Sequence, residues 1–155
     1  MLLLVITTVV FAVIVFMMPK HITSLEIYTT SLFAIVLQLI TDTYLEFKYR
    51  LYWYFSPDVN FLTLWVIFWI YPAASTIFLN FYPRTKSKLH KIKYILGWSI
   101  FALFFEWLAV QTGFFIHNGW RLWYSVPIYP VLFLILILNW TLICKLMFKL
   151  YPDKI

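Results

Sequence analysis

The sequence predicts an all-α, single-domain integral membrane bundle of five transmembrane helices that takes in residues 1–155, and three observations support this. The chain is 64% hydrophobic and only 12% charged, whereas a soluble domain is roughly 45–50% apolar and about 25% charged. Its mean hydropathy is +0.88. Five apolar runs approach the ~20 residues that a helix needs to cross a hydrocarbon core of ~30 Å, and none alternates in polarity as a membrane β-strand does.

The predicted spans follow one another at residues 2–18, 25–45, 61–81, 94–116 and 126–148. The first run lacks the basic start and the small-residue cleavage site of a signal peptide, which predicts a retained helix. Pro72 lies inside the third run, where a missing backbone donor predicts a kink. Ser75 and Thr76 are placed to cover the carbonyls that this kink frees. Pro127 and Pro130 are predicted to lie at the entry of the fifth helix.

The distribution of basic residues predicts the orientation of the bundle. With five spans, three of the twelve basic residues fall on one side of the membrane, at Lys48, Arg50 and Arg121. The other nine share the opposite side: Lys20, Arg84, Lys86, Lys88, Lys91, Lys93, Lys145, Lys149 and Lys154. Because cytoplasmic loops are enriched in Lys and Arg, the N-terminus is predicted outside and the C-terminus inside a bacterial plasma membrane.

The basic loop at residues 84–93, RTKSKLHKIK, has two possible partners, anionic lipid and nucleic acid. The segment is short and carries no interleaved aromatics, so it favours contact with anionic headgroups and predicts no nucleic-acid binding. Membrane lipids are therefore the expected partners.

The composition argues against several kinds of site. One cysteine excludes an internal disulfide and the thiolate-rich metal patterns. Three glycines with no glycine-rich loop argue against a phosphate cradle. Asp42, Glu46 and His117 could form a cation site, but their spacing in the sequence matches no known metal-ligand motif. No serine lies in a nucleophile elbow. We expect neither a metal nor a cofactor.

Glu106 is the clearest candidate for a functional residue. Counting at ~1.5 Å per residue places it roughly 18 Å into the membrane, where a charged side chain costs about 2.5–3.5 kcal/mol on insertion scales. Ser99, Ala102, Ala109 and Gly113 share its helical face at three- and four-residue spacings. Small residues let a neighbouring helix approach closely. The pattern predicts that Glu106 faces protein and not lipid.

A stripe on the second span is the expected counterpart of Glu106. Gln38, Asp42 and Glu46 recur every four residues and so lie on one face. Gln38 falls at about the depth of Glu106, Asp42 near the outer interface and Glu46 in the headgroup layer. One interpretation is a polar cleft that opens outward, with Glu106 at its floor. The other is a structural hydrogen bond from a protonated Glu106 to Gln38, since burial favours the neutral carboxyl.

The outer loops supply the predicted rim of the cleft. They are crowded with Tyr and Trp, which is typical of an interfacial aromatic belt and is also suited to contacting a ligand. If the fourth helix continued to His117, this residue would lie on nearly the same face of the helix as Glu106. The predicted ligand-binding residues are Gln38, Asp42, Glu46, Glu106, His117, Trp120, Arg121 and Tyr124.

The sequence also resembles a family of small multi-pass membrane proteins from spore-forming Firmicutes. The residues that carry the resemblance are Asp42, Lys48, Glu106-Trp107, Gly113, Trp120, Tyr124-Ser125 and Tyr129. It extends from about His21 onward and implies a multi-pass membrane protein without supplying an activity. The chain is more faintly similar to small polytopic carotenoid and terpene cyclases, in which membrane carboxylic acids protonate a polyene, but it lacks their Pro-x-Glu-Glu motif.

Two hypotheses for function follow. In the first, the chain is a non-enzymatic membrane protein that binds a lipid-like ligand or a partner membrane protein through the cleft. In the second, it is an enzyme or proton-coupled carrier for a polyisoprenoid or other apolar substrate, with Glu106 as the acid and Asp42 as its partner. An odd number of spans excludes two equal inverted halves in one chain, so the carrier would require a homodimer.

Overall fold

The computed structural model describes residues 1–58 and 61–150. Its helices, labelled α1 to α5, are Leu2–Met17, Ser24–Lys48, Phe61–Asn80, Lys88–Gln111 and Leu122–Leu150. Two short strands, β1 at Tyr52–Tyr54 and β2 at Phe115–His117, pair into an antiparallel sheet. The predicted Lys154 lies outside the described residues, as do positions 59 and 60 of the first aromatic loop.

Four helices of the described chain, α2 to α5, are long and apolar enough to cross a membrane. The chain is therefore built as a multi-pass membrane protein. Helix α1 is apolar but has only 16 residues, which at ~1.5 Å each is shorter than a ~30 Å hydrocarbon core. It packs along α3.

Helix α2 begins at a complete capping box and buries one side along its whole length. The Thr23 side chain accepts from the Glu26 backbone, and the Glu26 carboxylate accepts from the Thr23 backbone, which satisfies two otherwise unpaired donors. The buried residues recur every four positions: Glu26, Thr30, Ala34, Gln38, Asp42 and Glu46. The polar stripe predicted from the sequence is thus one half of a longer buried face.

The proline in α3 is accommodated by a π-helical segment. The helix is α-helical at Phe61–Trp65, π-helical at Val66–Ile70 and α-helical again from Tyr71. Pro72 therefore sits in the first turn of the last segment, where its missing N–H costs little. The predicted capping role of Ser75 is wrong, because its buried Oγ has no hydrogen-bond partner among the described residues.

Helix α4 ends five residues earlier than predicted, at Gln111. Gly113 adopts a φ of +67°, and two backbone bonds close the turn, from Gly113 N to Val110 O at 3.2 Å and from Phe114 N to Ala109 O at 2.9 Å. This is a Schellman motif, in which a glycine in the left-handed region ends the helix. Gly113 is consequently exposed and is not on the Glu106 face, which corrects the prediction.

The two-stranded sheet was not predicted. Tyr52 pairs with His117 and Tyr54 with Phe115, and Leu51 O accepts from two further backbone N–H groups, at 2.8 and 3.1 Å. The sheet closes the end of the bundle at which α2 and α4 finish and α3 and α5 begin, hereafter the sheet end. A cluster of buried aromatic residues packs beneath it.

Helix α5 begins at Leu122, four residues before the predicted start. Pro127 and Pro130 therefore lie inside the helix and not at its entry, which corrects that prediction. The early start carries Ser125 and Tyr129 on the first turns of a helix that packs along α4.

Candidate functional site

The Glu106 carboxylate is the centre of a buried hydrogen-bond network. Glu106 is only 5% exposed to solvent. Oε1 lies 3.0 Å from His117 Nε2 and accepts from Ser125 Oγ at 3.0 Å, while Oε2 accepts from Tyr129 Oη at 2.7 Å. Trp120 Nε1 donates to Ser125 Oγ at 2.9 Å. Because an indole N–H can only donate, the serine accepts from Trp120 and passes its own proton toward Glu106.

Three parts of the chain hold this network in place: α4 carries Glu106, α5 carries Ser125 and Tyr129, and β2 carries His117. Ser125 and Tyr129 are four residues apart and share one face of α5. His117 arrives from β2, after the chain has reversed at the end of α4, and not from the helical face on which it was predicted. The His117 side chain is 17% exposed, so it connects the buried carboxylate to the surface of the sheet end.

A second network surrounds Asp42, which is 1% exposed. Its Oδ1 accepts from Gln38 Nε2 at 2.7 Å and from Tyr52 Oη at 2.9 Å, and Oδ2 has no partner among the described residues. Burial and the nearby Asp42 raise the pKa of Tyr52 far above its usual value, so the phenol keeps its proton and donates. Glu46 is 3% exposed beside Asp42. Glu46 therefore faces protein at the end of α2.

A pair of tyrosines extends this second network toward the middle of the bundle. Gln38 Nε2 lies 3.4 Å from Tyr54 Oη, and Tyr54 Oη lies 2.6 Å from Tyr71 Oη. Burial, and then the neighbouring Tyr71 and Asp42, raise the pKa of Tyr54, which keeps this hydroxyl protonated.

A partly open cavity of about 190 Å³ lies between the two networks. Apolar and aromatic side chains from all five helices and the sheet end form most of its wall. The polar side chains that line it are Gln38, Tyr54, Tyr71, Ser75, Glu106 and Tyr129. Gln38 and Glu106 both face this space, but the amide donates to Asp42 and Tyr54, while Glu106 takes its donors from β2 and α5. The interpretation as a direct Gln38–Glu106 hydrogen bond is therefore not supported.

The predicted cleft does not open between the outer loops, because the sheet covers it. Tyr52 and Tyr54 are 5% and 4% exposed, and Trp120 packs edge-on against Tyr52 at 5.8 Å between ring centroids. Arg121 and Tyr124 are exposed and do not line the cavity. The remaining predicted residues are brought together, either at the cavity or directly behind its polar wall.

Tyr54 and Tyr71 were not identified from the sequence, and Ser125 and Tyr129 appear there only among the residues that carry the family resemblance, without a role in the site. Tyr54, Tyr71, Ser125 and Tyr129 all bring hydroxyls to the networks. The four-residue spacing of the last two was the only local signal, and it is common on any helix.

A further buried carboxylate, Glu26, lies at the opposite end of the bundle from the sheet. It accepts from Trp140 Nε1 at 2.9 Å and Cys144 Sγ at 2.8 Å as well as from the Thr23 backbone. Arg84 stacks over the Trp140 ring at 4.1 Å. These contacts join α2, α5 and the loop before α4, which indicates a structural role.

The site offers hydrogen-bond acceptors and donors inside an apolar chamber. Among the described residues, no group of three His, Cys, Asp or Glu side chains is placed to hold a metal ion. No family model, curated protein or solved structure matches this chain.

Proposed function

We propose that the chain is a five-span plasma-membrane protein that binds one end of a lipid-like molecule in the cavity beside Glu106. The observation that carries the proposal is the cavity itself, which combines mostly apolar walls with a few convergent polar groups. That combination is typical of small-molecule sites. Its position inside helices that are apolar enough to cross a membrane makes the bilayer the source of the ligand.

The volume restricts what can enter. An engineered protein cavity of ~150 Å³ holds a molecule of the size of benzene, so a space of about 190 Å³ holds a ring or a few carbons. A whole lipid does not fit. The ligand inserts one end, and the rest of the molecule stays in the surrounding hydrocarbon.

The hydrogen bonds of Glu106 support binding over acid catalysis. Ser125 and Tyr129 both donate to the carboxylate, so it acts as an acceptor that positions donors. Preorganised partners of this kind offset the cost of burying the carboxylate. Helix α5 of the same chain packs along α4 and contacts Glu106 through Ser125 and Tyr129, which leaves little of that face for a partner helix.

Photolabelling of the purified protein in phosphatidylcholine nanodiscs tests the proposal. A diazirine- and alkyne-tagged hexadecanol should label cavity peptides. Ala102→Phe, on the cavity wall, should abolish the labelling because the ring fills the space. Ile100→Phe, on the same helix but 67% exposed, is the matched control and should label normally.

Folding must be checked in the same samples, because Ala102→Phe adds volume to a packed bundle. Ala74→Leu, on the α3 side of the same cavity, provides a second variant with a smaller insertion. Undiminished labelling of both cavity variants, with melting temperatures like that of the parent, would refute binding in the cavity.

The proposed topology has five spans with the N-terminus outside, supported by the distribution of Lys and Arg. Single cysteines in a Cys144→Ser background test it with a membrane-impermeant maleimide on intact cells. Arg121→Cys should be labelled and Ser87→Cys should not. Leu2→Cys decides the number of spans, because it is labelled from outside only if α1 crosses the membrane. Protection of Leu2→Cys would leave four spans.

The alternative is an enzyme or proton-coupled carrier that uses Glu106 as the proton donor. The observation that favours it is the contact between Glu106 and the partly exposed His117, which offers a path for protons from the surface. Infrared titration of the carboxyl band tests it. A band that changes when hexadecanol binds, and that disappears in Glu106→Gln, would support the carrier over simple binding.

A further inference from the structure

An apolar groove runs along the side of the bundle next to the cavity. It has a volume of about 360 Å³, and its walls are Phe11, Ile14, Ile77, Gly97, Trp98 and Phe101. A Cβ atom at Gly97 would meet nothing within 4 Å, so the glycine leaves this face of α4 open. The groove lies between α1 and α4 with α3 at its floor. Only a hydrocarbon chain suits such a lining in a membrane.

The groove and the cavity share part of their walls. Phe11, Trp98 and Phe101 line both spaces, and Phe101 is 45% exposed at the side of the bundle. The groove and the cavity therefore adjoin at these three aromatic rings, which a hydrocarbon chain lying in the groove must displace or pass to bring its end into the cavity. The shared residues make a lateral route from the bilayer the shortest one, since the sheet covers the loop end of the site.

The polar wall of the cavity sets the charge of the group that ends there. No described residue that lines the cavity is a lysine, arginine or histidine. Glu106 is part of the wall, and Asp42 and Glu46 are buried directly behind Gln38. An anionic end would therefore meet the Glu106 carboxylate with no cationic side chain in the lining, since His117 contacts Glu106 from outside the cavity wall. At ~4 Å and an effective dielectric constant of ~20, such repulsion weakens binding by about 100-fold or more.

Glu106 and Ser75 each keep hydrogen-bonding capacity on the wall for a ligand. An ionised carboxylate has about four acceptor positions, and Glu106 uses three of them when His117 donates, which leaves one on Oε2. Ser75 is 3% exposed, lines the cavity, and its Oγ has no partner among the described residues. The serine can accept or donate, whereas Glu106 requires a donor.

We propose that the ligand is a long-chain lipid whose polar end donates hydrogen bonds and carries no negative charge, an alcohol or an amine, with its chain in the groove between α1 and α4. This rests on the proposed binding in the cavity. Ser75 and Glu106 recognise the polar end, and Gly97 leaves room for the chain.

Competition against the tagged hexadecanol tests this proposal in phosphatidylcholine nanodiscs at pH 7. Three competitors share one C16 chain: hexadecanol, hexadecylamine and hexadecyl phosphate. The alcohol or the amine should compete, and the preferred one identifies the donor. The phosphate should be weaker by about 100-fold or more. Equal competition by hexadecyl phosphate would overturn the inference.

Two variants test the contacts separately. Ser75→Ala should weaken hexadecanol about 5- to 10-fold, as expected for one hydrogen bond of ~1 kcal/mol. Gly97→Phe should reduce labelling by the C16 probe but not by a C6 analogue, which fits within the cavity alone. Ile100→Phe again serves as the control on the same helix.

The outcomes separate this inference from the function on which it rests. If no competitor displaces the probe and Ala102→Phe still labels, cavity binding itself is wrong. In a second outcome, Ala102→Phe abolishes labelling, Gly97→Phe labels like Ile100→Phe, and hexadecyl phosphate competes as well as hexadecanol. Binding in the cavity then stands, and the proposed ligand class and route fail.

Discussion

Replacing Glu106 with Gln or with Leu distinguishes an acceptor that holds the network from a proton donor. In Glu106→Gln, the amide oxygen can still accept from Ser125 and lie against His117. The amide nitrogen can donate to Tyr129, whose hydroxyl rotates to accept. Each partner keeps one hydrogen bond to residue 106, but the charge assistance of these bonds and the acceptor of the Tyr129 proton are lost. Hydrogen bonds to charged groups contribute ~1.5–3 kcal/mol and neutral ones ~0.5–1.5.

The loss is partly recovered because a neutral side chain costs less to bury, so we expect Glu106→Gln to be destabilised by about 1–2 kcal/mol. Glu106→Leu is different, since it leaves the hydroxyls of Ser125 and Tyr129 and the ring of His117 without their acceptor. At ~1–3 kcal/mol for each unsatisfied buried group, the expected loss is about 3–6 kcal/mol.

Steric trapping of the unfolded state in bicelles measures these free energies of unfolding, and the hexadecanol competition is run on the same samples. Glu106→Gln should retain hexadecanol, because its second amide hydrogen can donate to an alcohol oxygen, and it should lose hexadecylamine. A Gln variant as unstable as the Leu variant would refute the network argument. Complete loss of hexadecanol binding in a well-folded Gln variant would instead favour the proton-carrier hypothesis.

Three further substitutions, two of them with a matched control, test the architecture by thermal melting of the purified protein. Gly113→Ala should lower the free energy of unfolding by about 1–2 kcal/mol, because φ is +67° there. Gly97→Ala should leave it unchanged or raise it by up to ~1 kcal/mol, because the helix has open space at that position. If Gly97→Ala were the more destabilising of the two, the assigned end of α4 at Gly113 would be wrong. Tyr52→Phe should cost about 1–3 kcal/mol by removing a donor to a buried carboxylate, and the exposed Tyr49→Phe should cost nothing measurable. Trp140→Phe should cost about 1.5–3 kcal/mol because its charge-assisted N–H bond is lost, and an unchanged melting temperature would show that this bond is not stabilising.

Features set by periodicity could be predicted. Every fourth residue of α2 is buried from Glu26 to Glu46, and three of those positions were identified from their polarity and spacing. Glu106 was placed against protein because small residues share its face, and Ser99 and Ala109 are indeed buried. Such patterns survive folding because a helix keeps its own side-chain directions whatever it packs against.

Features that depend on the end of a helix or on distant partners could not be predicted. The helix was extended through Gly113, since an apolar run continues past it, and His117 was assigned to the wrong element as a result. The three-residue strands are too short for a periodic signal, yet their pairing covers the cavity. Ser125 and Tyr129 are singled out only by the family resemblance, and no pattern in the sequence connects them to Glu106.

By itself the sequence determines that this chain is built for a membrane and that a carboxylate in α4 faces the interior. Both follow from local quantities, the hydropathy of each run and the 3.6-residue period of a helix. Only the tertiary structure decides that Glu106 contacts His117 of β2 and accepts from Ser125 and Tyr129 of α5, that Gln38 donates to Asp42, and that a cavity lies between them. Those outcomes depend on how separate helices meet and on which donor lies within about 3 Å of each acceptor, which no pattern within one segment contains.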